Sequence, residues 1–281
     1  MAGPHAPQVI AHRGASDEVP EHTYAAYRKA VEDGSDALEC DVRLTRDGHL
    51  VCVHDARVDR TSDGRGRVSA LELADLADLD FSAWRARQRH RPAWQREPSL
   101  AAGWDEEPDW DVSRVLTLER LLGLVVDSPR RVELAIETKH PTRYAGLVER
   151  RLVELLARYG LHEASGGEPP RVRVMSFSSA SLRRVHTLAP ALPTVLLLRW
   201  LPLRLRDGQL PSRVDIAGPA LPLLRRHPGY VERAHAAGHP VHVWTVDDPA
   251  DIDFVLSLGV DAVITNRPAL VRDHIHAGSR S

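Results

Sequence analysis

Short runs of aliphatic and β-branched residues alternate with stretches of helical periodicity along nearly the whole chain, and this rhythm restricts the fold more than any other feature. Strand-like segments are Val9–His12, Asp36–Val42, Val132–Ile136, Val172–Phe177, Thr194–Leu198, Val214–Ala217, Val241–Val246 and Asp261–Thr265. Helical patterns lie between them: Thr23–Glu32, with Thr23 as a cap, Tyr144–Tyr159, Ser179–Leu188, and Asp251–Leu258, which Gly259 ends. Such alternation gives a parallel sheet covered by helices, and eight strands close a (β/α)8 barrel. The expected fold is therefore an α/β TIM barrel. With 281 residues, residues 1–281 suit one such domain, which typically runs to about 250.

A ninth run, Leu50–His54, breaks the parallel pattern. Asp47-Gly48 precedes it and is a hairpin turn signal, so the run should return antiparallel to the second strand. That arm would bring His54 back toward the carboxyl end of the barrel, where active sites of this fold lie. Residues 55–115 then read as an insertion within the domain. It contains a loop at Asp63-Gly64-Arg65-Gly66, a short helix over Leu71–Leu79, and Trp84, Trp94, Trp104 and Trp110. Pinning of an irregular segment explains those tryptophans better than a substrate mouth does, because large aromatics anchor loops routinely.

The formal net charge is -2, which argues against bulk nucleic-acid binding. No stretch approaches the ~20 apolar residues of a membrane span, and Met1–Pro7 lacks the features of a secretory signal. The expected location is cytoplasmic. There are two cysteines. If Glu39 and Asp41 share a strand face, Cys40 takes the other; by the same alternation Cys52 shares a face with His54. No disulfide is expected between them.

Glu39-Cys40-Asp41 places two carboxylates on one side of a strand, about 7 Å apart along the chain. In a buried barrel mouth they would repel, and a divalent cation would relieve that. On spacing alone, two solvated acids explain the pair at least as well. Glu137-Thr138-Lys139 ends another strand, so Glu137 can supply a third carboxylate and Lys139, of the same parity, can meet an anion; a strand-end ion pair is the alternative. An all-oxygen set suits Mg2+ or Ca2+ better than zinc. His12-Arg13-Gly14 ends the first strand with an acid/base group, a fork suited to phosphate oxygens and a residue that allows a sharp turn. His54-Asp55 supplies a second imidazole. Two imidazoles, an arginine and a metal form a set fit for phosphoryl transfer.

Taken in order, these residues resemble the glycerophosphodiester phosphodiesterases. The resemblance is carried by Ala11-His12-Arg13-Gly14-Ala15, Pro20-Glu21-His22-Thr23, Leu38-Glu39-Cys40-Asp41-Val42, Thr45-Arg46-Asp47-Gly48 and Val53-His54-Asp55. Weaker pieces continue through Glu137-Thr138-Lys139, Ser176-Phe177, Val243-Trp244-Thr245-Val246 and Thr265-Asn266-Arg267-Pro268. The resemblance implies a TIM barrel of the phosphodiesterase type that hydrolyses glycerophosphodiesters to glycerol 3-phosphate and an alcohol, a place in lipid and glycerol metabolism. It implies Glu39, Asp41 and Glu137 as metal ligands, and His12 and His54 as the acid/base pair. Arg13 and Lys139 would hold the phosphate, Trp244 would meet the glycerol, and Glu21 would support the site. One departure is visible: the family usually has asparagine where this chain has His22. An imidazole can donate as an amide does, and the proposed ligand set is unchanged. Rival readings are a related phosphodiesterase acting on lysophospholipids or sphingolipids, a non-catalytic phosphodiester-binding barrel, and a metal-dependent amidohydrolase. The last fits poorly, because it would need histidine ligands for a transition metal.

Overall fold

The computed structural model describes residues 6–84, 110–142, 146–164 and 167–278. The barrel strands are β1 (Gln8–His12), β2 (Ala37–Leu44), β4 (Glu133–Thr138), β5 (Val172–Ser176), β6 (Thr194–Leu198), β7 (Ile216–Pro219), β8 (His242–Trp244) and β9 (Ala262–Thr265). They pair parallel in the order β7-β6-β5-β4-β2-β1-β9-β8. Only bridges at Ala217–Val241 and Ala220–Trp244 join β7 to β8, so the barrel is nearly closed rather than uniformly laddered. The expected strand count and fold are both present. The strand ends shift: β7 begins at Ile216 rather than Val214, and β8 stops at Trp244 rather than Val246.

Alternation along the strands sorts their side chains. Outward-facing residues such as Leu38, Cys40, Leu134 and Ile136 pack beneath helices in one large core, and Val9, Val243 and Val263 do so in another. Inward-facing residues stack in layers inside the barrel. Gln8, Glu133 and Arg173 hydrogen-bond to one another at the amino-terminal ends of their strands. Above them Ile10, Ala37, Ala135, Met175, Val195 and Ile264 form an apolar layer. The same parity carried two residues further reaches His12, Glu39 and Glu137. The apolar layer is thus the floor of whatever these polar residues do.

The first helix, α1 (Tyr24–Glu32), begins where Thr23 accepts a hydrogen bond from the Ala26 N–H, and it buries Ala25, Ala26, Tyr27 and Ala30. The loop after β1 presses against it at Gly14. There φ is +83°, and a Cβ would meet the Ala26 backbone at 2.6 Å. β3 (Leu50–Cys52) pairs antiparallel with β2, after a turn at Gly48 with φ +90°. It is shorter than the expected Leu50–His54 arm, which corrects the placement of Cys52. Cys52 lies opposite Val42 and joins Cys40 in the outer core, both of them free, whereas the chain turns after the strand and sends His54 the other way. Residues after the hairpin build a small core of their own from Val58, Val68, Leu76 and Phe81 against Val51 and Val53. The expected helix over Leu71–Leu79 is the shorter α2 (Leu73–Ala77). Trp94 and Trp104, and with them the reading of the tryptophan-bearing segment, lie outside the described residues.

Candidate active site

β2 and β4 are neighbours with Asp41 directly opposite Glu137 in the register. This is why residues nearly a hundred positions apart meet. Carboxylate oxygens of Glu39, Asp41 and Glu137 all lie within 4.8 Å of one another, and all three residues are buried. Burial and the nearby Asp41 charge push the Glu39 carboxyl well up and Glu137 up to about 7. For Asp41, burial acts upward, but the His22 hydrogen bond and the charges of Arg13 and Lys139 overcome it and hold the group well down. Lys139 Nζ is 2.9 Å from Glu137 and 3.2 Å from Asp41, and Arg13 Nε is 3.1 Å from Asp41. Asp41 Oδ1 is buried and faces the Lys139 ammonium without a well-aligned hydrogen bond. Three converging buried carboxylates fit a hard divalent cation.

Arg13 and His22 both have left-handed backbones, with φ of 58° and 60°. The first lets the Arg13 N–H donate to Glu39 Oε2 at 3.0 Å while its guanidinium turns back to Glu21 and Asp41. Glu21 is then held from the other side by two hydrogen bonds from Arg60, at 2.7 and 2.8 Å. Burial would raise the Glu21 carboxyl, but Arg60 and Arg13 bring it down to about 2. His22 is buried; its Nε2 donates to Asp41 Oδ2 at 2.9 Å, and its Nδ1 meets the Tyr27 hydroxyl at 2.7 Å. The departure at residue 22 thus does bear on the carboxylate set, through a direct bond to Asp41.

Each strand-end histidine has one ring nitrogen committed. The Asn266 amide donates to Asp247 Oδ2 at 2.7 Å, which leaves its oxygen to accept from His12 Nδ1 at 2.7 Å. His54 Nδ1 donates to Asp55 at 2.6 Å, and Arg60 Nε holds the other oxygen of Asp55. In both rings the proton on Nδ1 leaves the Nε2 lone pair available. Burial, then the Arg13 charge, lowers His12 to about 3; burial lowers His54 to about 4 despite Asp41. Both imidazoles are therefore neutral near pH 7. Arg43 Nε and Nη2 donate to the His54 carbonyl at 3.0 and 2.7 Å, fixing the end of the hairpin arm.

His12, Arg13, Glu39, His54, Glu137, Lys139 and Trp244 all line one cavity of about 100 Å3. Trp244 donates its indole N–H to the Gly218 carbonyl at 2.7 Å and meets Phe177 edge to face. Asp41 lies beneath, and Glu21 stands behind Arg13. The structure thus brings all nine residues anticipated from the sequence to one end of the barrel.

A model of the Glycerophosphoryl diester phosphodiesterase family matches residues 12–270. The chain belongs to that family. It is 43% identical over 272 residues to a Mycobacterium tuberculosis protein named "Probable glycerophosphodiester phosphodiesterase 1", covering 97% of this chain and 93% of the relative. It is 35% identical to the glycerophosphodiester phosphodiesterase of Bacillus subtilis, over 93% of this chain and 84% of that one. Among solved structures, an Oleispira antarctica phosphodiesterase in complex with the product sn-glycerol-3-phosphate shares the fold. Its TM-score is 0.77 at 23% identity, covering 96% of this chain and 97% of that one.

The site of this phosphodiesterase also contains residues to which the sequence reading gave no role. Asn266 lies in a motif that could be read, but its link to Asp247 crosses from the end of β9 to the loop after β8. Arg60 joins Glu21 to Asp55 and so ties the loop after β1 to the end of the hairpin arm. Arg43 was legible only as the next inward residue after Asp41. No helix among the described residues is long and apolar enough to cross a membrane.

Proposed function

We propose that this phosphodiesterase hydrolyses glycerophosphodiesters to glycerol 3-phosphate and an alcohol. The arrangement of His12 and His54 carries the reading: in the free protein both rings are neutral, each has Nε2 available, and both border a cavity lined by Glu39 and Glu137 and by the cations Arg13, Lys139 and Arg199, with Asp41 beneath it. Glu39, Asp41 and Glu137 would hold one divalent cation, Mg2+ or Ca2+. When bound it supplies positive charge against the phosphate oxygens.

Arg13 and Lys139 bind the phosphate and offset charge developing on it. Trp244, on the apolar floor, takes the glycerol carbons. One histidine accepts a proton from the nucleophile, either water or the glycerol 2-hydroxyl, as the new P–O bond forms. The other takes up a proton on Nε2 when the phosphodiester's negative charge enters beside it, and delivers that proton to the departing alcohol oxygen as the old P–O bond breaks. Glu21 and Asn266 keep Arg13 and His12 in register. Residues 1–281 form a single barrel domain with residues 55–115 inserted. A cytoplasmic location completes the reading, supported by free Cys40 and Cys52 in the same core cluster.

His12→Ala and His54→Ala should each lower kcat at least about 100-fold in an assay of glycerol 3-phosphate release from glycerophosphocholine, with melting temperature retained. Full turnover by both variants would remove the acid/base assignment. A second reading, lysophospholipid or sphingolipid cleavage, is favoured by Trp200, which is 73% exposed at the mouth. Acylated substrates in the same assay separate the two.

A further inference from the structure

Beside the carboxylate site lies a separate cavity of about 400 Å3 that includes Lys139 in its wall. Its charged lining is Arg43, Arg67 and Lys139, with Ser69 nearby and apolar Val68 and Val148; no carboxylate lines it among the described residues. Neither flanking arginine is in a salt bridge among the described residues. Arg43 gives Nε and Nη2 to the neutral His54 carbonyl and feels the Asp41, Asp55 and Glu137 charges only at a distance, and Arg67 makes no ion pair. The wider mouth shares Arg43 and Lys139 with this cavity and adds Arg199. Arg199 lies over the Phe177 ring, 5.2 Å from its centre, and likewise has no carboxylate partner among the described residues.

The acids of the mouth are already paired. Asp55 is held by Arg60, Asp59 by Arg57 and Glu137 by Lys139. A cationic head group leaving the carboxylate site would therefore meet unpaired arginines, and Arg199 already covers a face of Phe177 on which a quaternary ammonium could stack. An anionic head group would meet complementary charge on a partly enclosed surface.

We propose that the cavity of Arg43 and Arg67 is a head-group subsite, and that the favoured substrates are glycerophosphodiesters whose alcohol carries a second anionic group such as a phosphomonoester. This rests on the glycerophosphodiester reading and narrows its substrate class. The phosphodiester sits at Lys139 and the second anion reaches Arg67, with Arg43 between them and Arg199 in the adjoining mouth.

Glycerophosphoinositol and glycerophosphoinositol 4-phosphate differ only in that second anion. In the metal-supplemented enzyme, kcat/KM should be at least about tenfold higher for the phosphorylated substrate. Arg67→Gln, a change at an exposed side chain, should bring the ratio close to one and leave the rate on glycerophosphoinositol unchanged; Arg67→Lys should retain part of the preference. Titration calorimetry on the same pair with the His12→Ala variant, and with His12→Ala combined with Arg67→Gln, should show a preference of the same order in affinity, lost in the double variant. It reads the subsite without turnover, so absence of hydrolysis with a retained affinity difference would count against the glycerophosphodiester activity and not against the subsite. Equal or weaker binding of the phosphorylated compound, or a preference untouched by Arg67→Gln, would overturn the proposal.

Discussion

His22 shows how one backbone angle decides what a residue does. Its left-handed φ of 60° turns the imidazole inward, where it bonds Asp41 from the side opposite Lys139. Asparagine and histidine are among the few non-glycine residues enriched in that region, so the two can share the position. His22→Asn should keep the backbone and a donor to Asp41. His22→Ala should lose the donor, and the loss of such a supporting bond typically weakens metal binding 10- to 100-fold. Calorimetric titration with Mg2+ and Ca2+ would show about a tenfold weaker affinity for the alanine variant and little change for asparagine. Equal weakening in both would mean that the ring itself is needed. The chemistry of Glu39, Asp41, His12 and His54 was legible because it depends on residue type and spacing along one strand. The part played by His22 was not, because a positive φ is invisible in a pattern of alternation, and Asp41 is reached across space rather than along the chain.

The hairpin of β2 and β3 acts as a lever for His54. Its turn was legible from Asp47-Gly48, and the antiparallel return follows from it. Alternation, however, predicts side-chain direction only while the strand lasts. β3 stops at Cys52, so the parity argument failed for Cys52 while the conclusion that His54 reaches the mouth held. What fixes His54 beyond the strand is Arg43, through two hydrogen bonds to its carbonyl. Arg43→Leu should lower kcat on glycerophosphocholine by about 10- to 100-fold, the order of loss that small misplacements cause, and Arg43→Lys should recover part of it. An unchanged kcat in Arg43→Leu would show that the arm holds itself. A second element is tied by charge. Glu149, on the helix Leu147–Arg158, is buried, with Arg184 at 2.8 Å and His140 at 3.1 Å. Burial would raise its carboxyl, yet hydrogen bonds from His140 and Ser181 bring it down to about 2. A depressed carboxylate adds stability above its unfolded pKa of about 4.5 and loses it as pH falls toward 2. Urea unfolding across that window should show a flatter acid limb for Glu149→Gln, with a loss of about 2 kcal/mol at pH 7.

At the scale of the whole barrel, the inward layers set polar against apolar. The middle layer was legible in the sequence as strand alternation. Closure was legible from the count of eight strands, but the ends of β7 and β8 were not, because these two strands meet through two bridges and short, turn-rich segments give little periodicity to read. That apolar floor excludes water below the three carboxylates, and so their mutual repulsion becomes a property of the folded state. Without a cation, Glu137 titrates at about 7, whereas the unfolded chain titrates near 4.5. The native state therefore binds the extra proton between those values. Stability from this group is present below pH 4.5 and is lost as pH rises through 7. A divalent cation reverses that trend: it favours the ionised triad and must displace the proton to bind at lower pH. Melting curves of chelator-treated protein should then show a larger gain on adding Mg2+ or Ca2+ at pH 8 than at pH 5.5, and Glu137→Gln should reduce the difference between the two. A gain independent of pH, or one that survives Glu137→Gln in full, would place the stabilising cation away from these carboxylates.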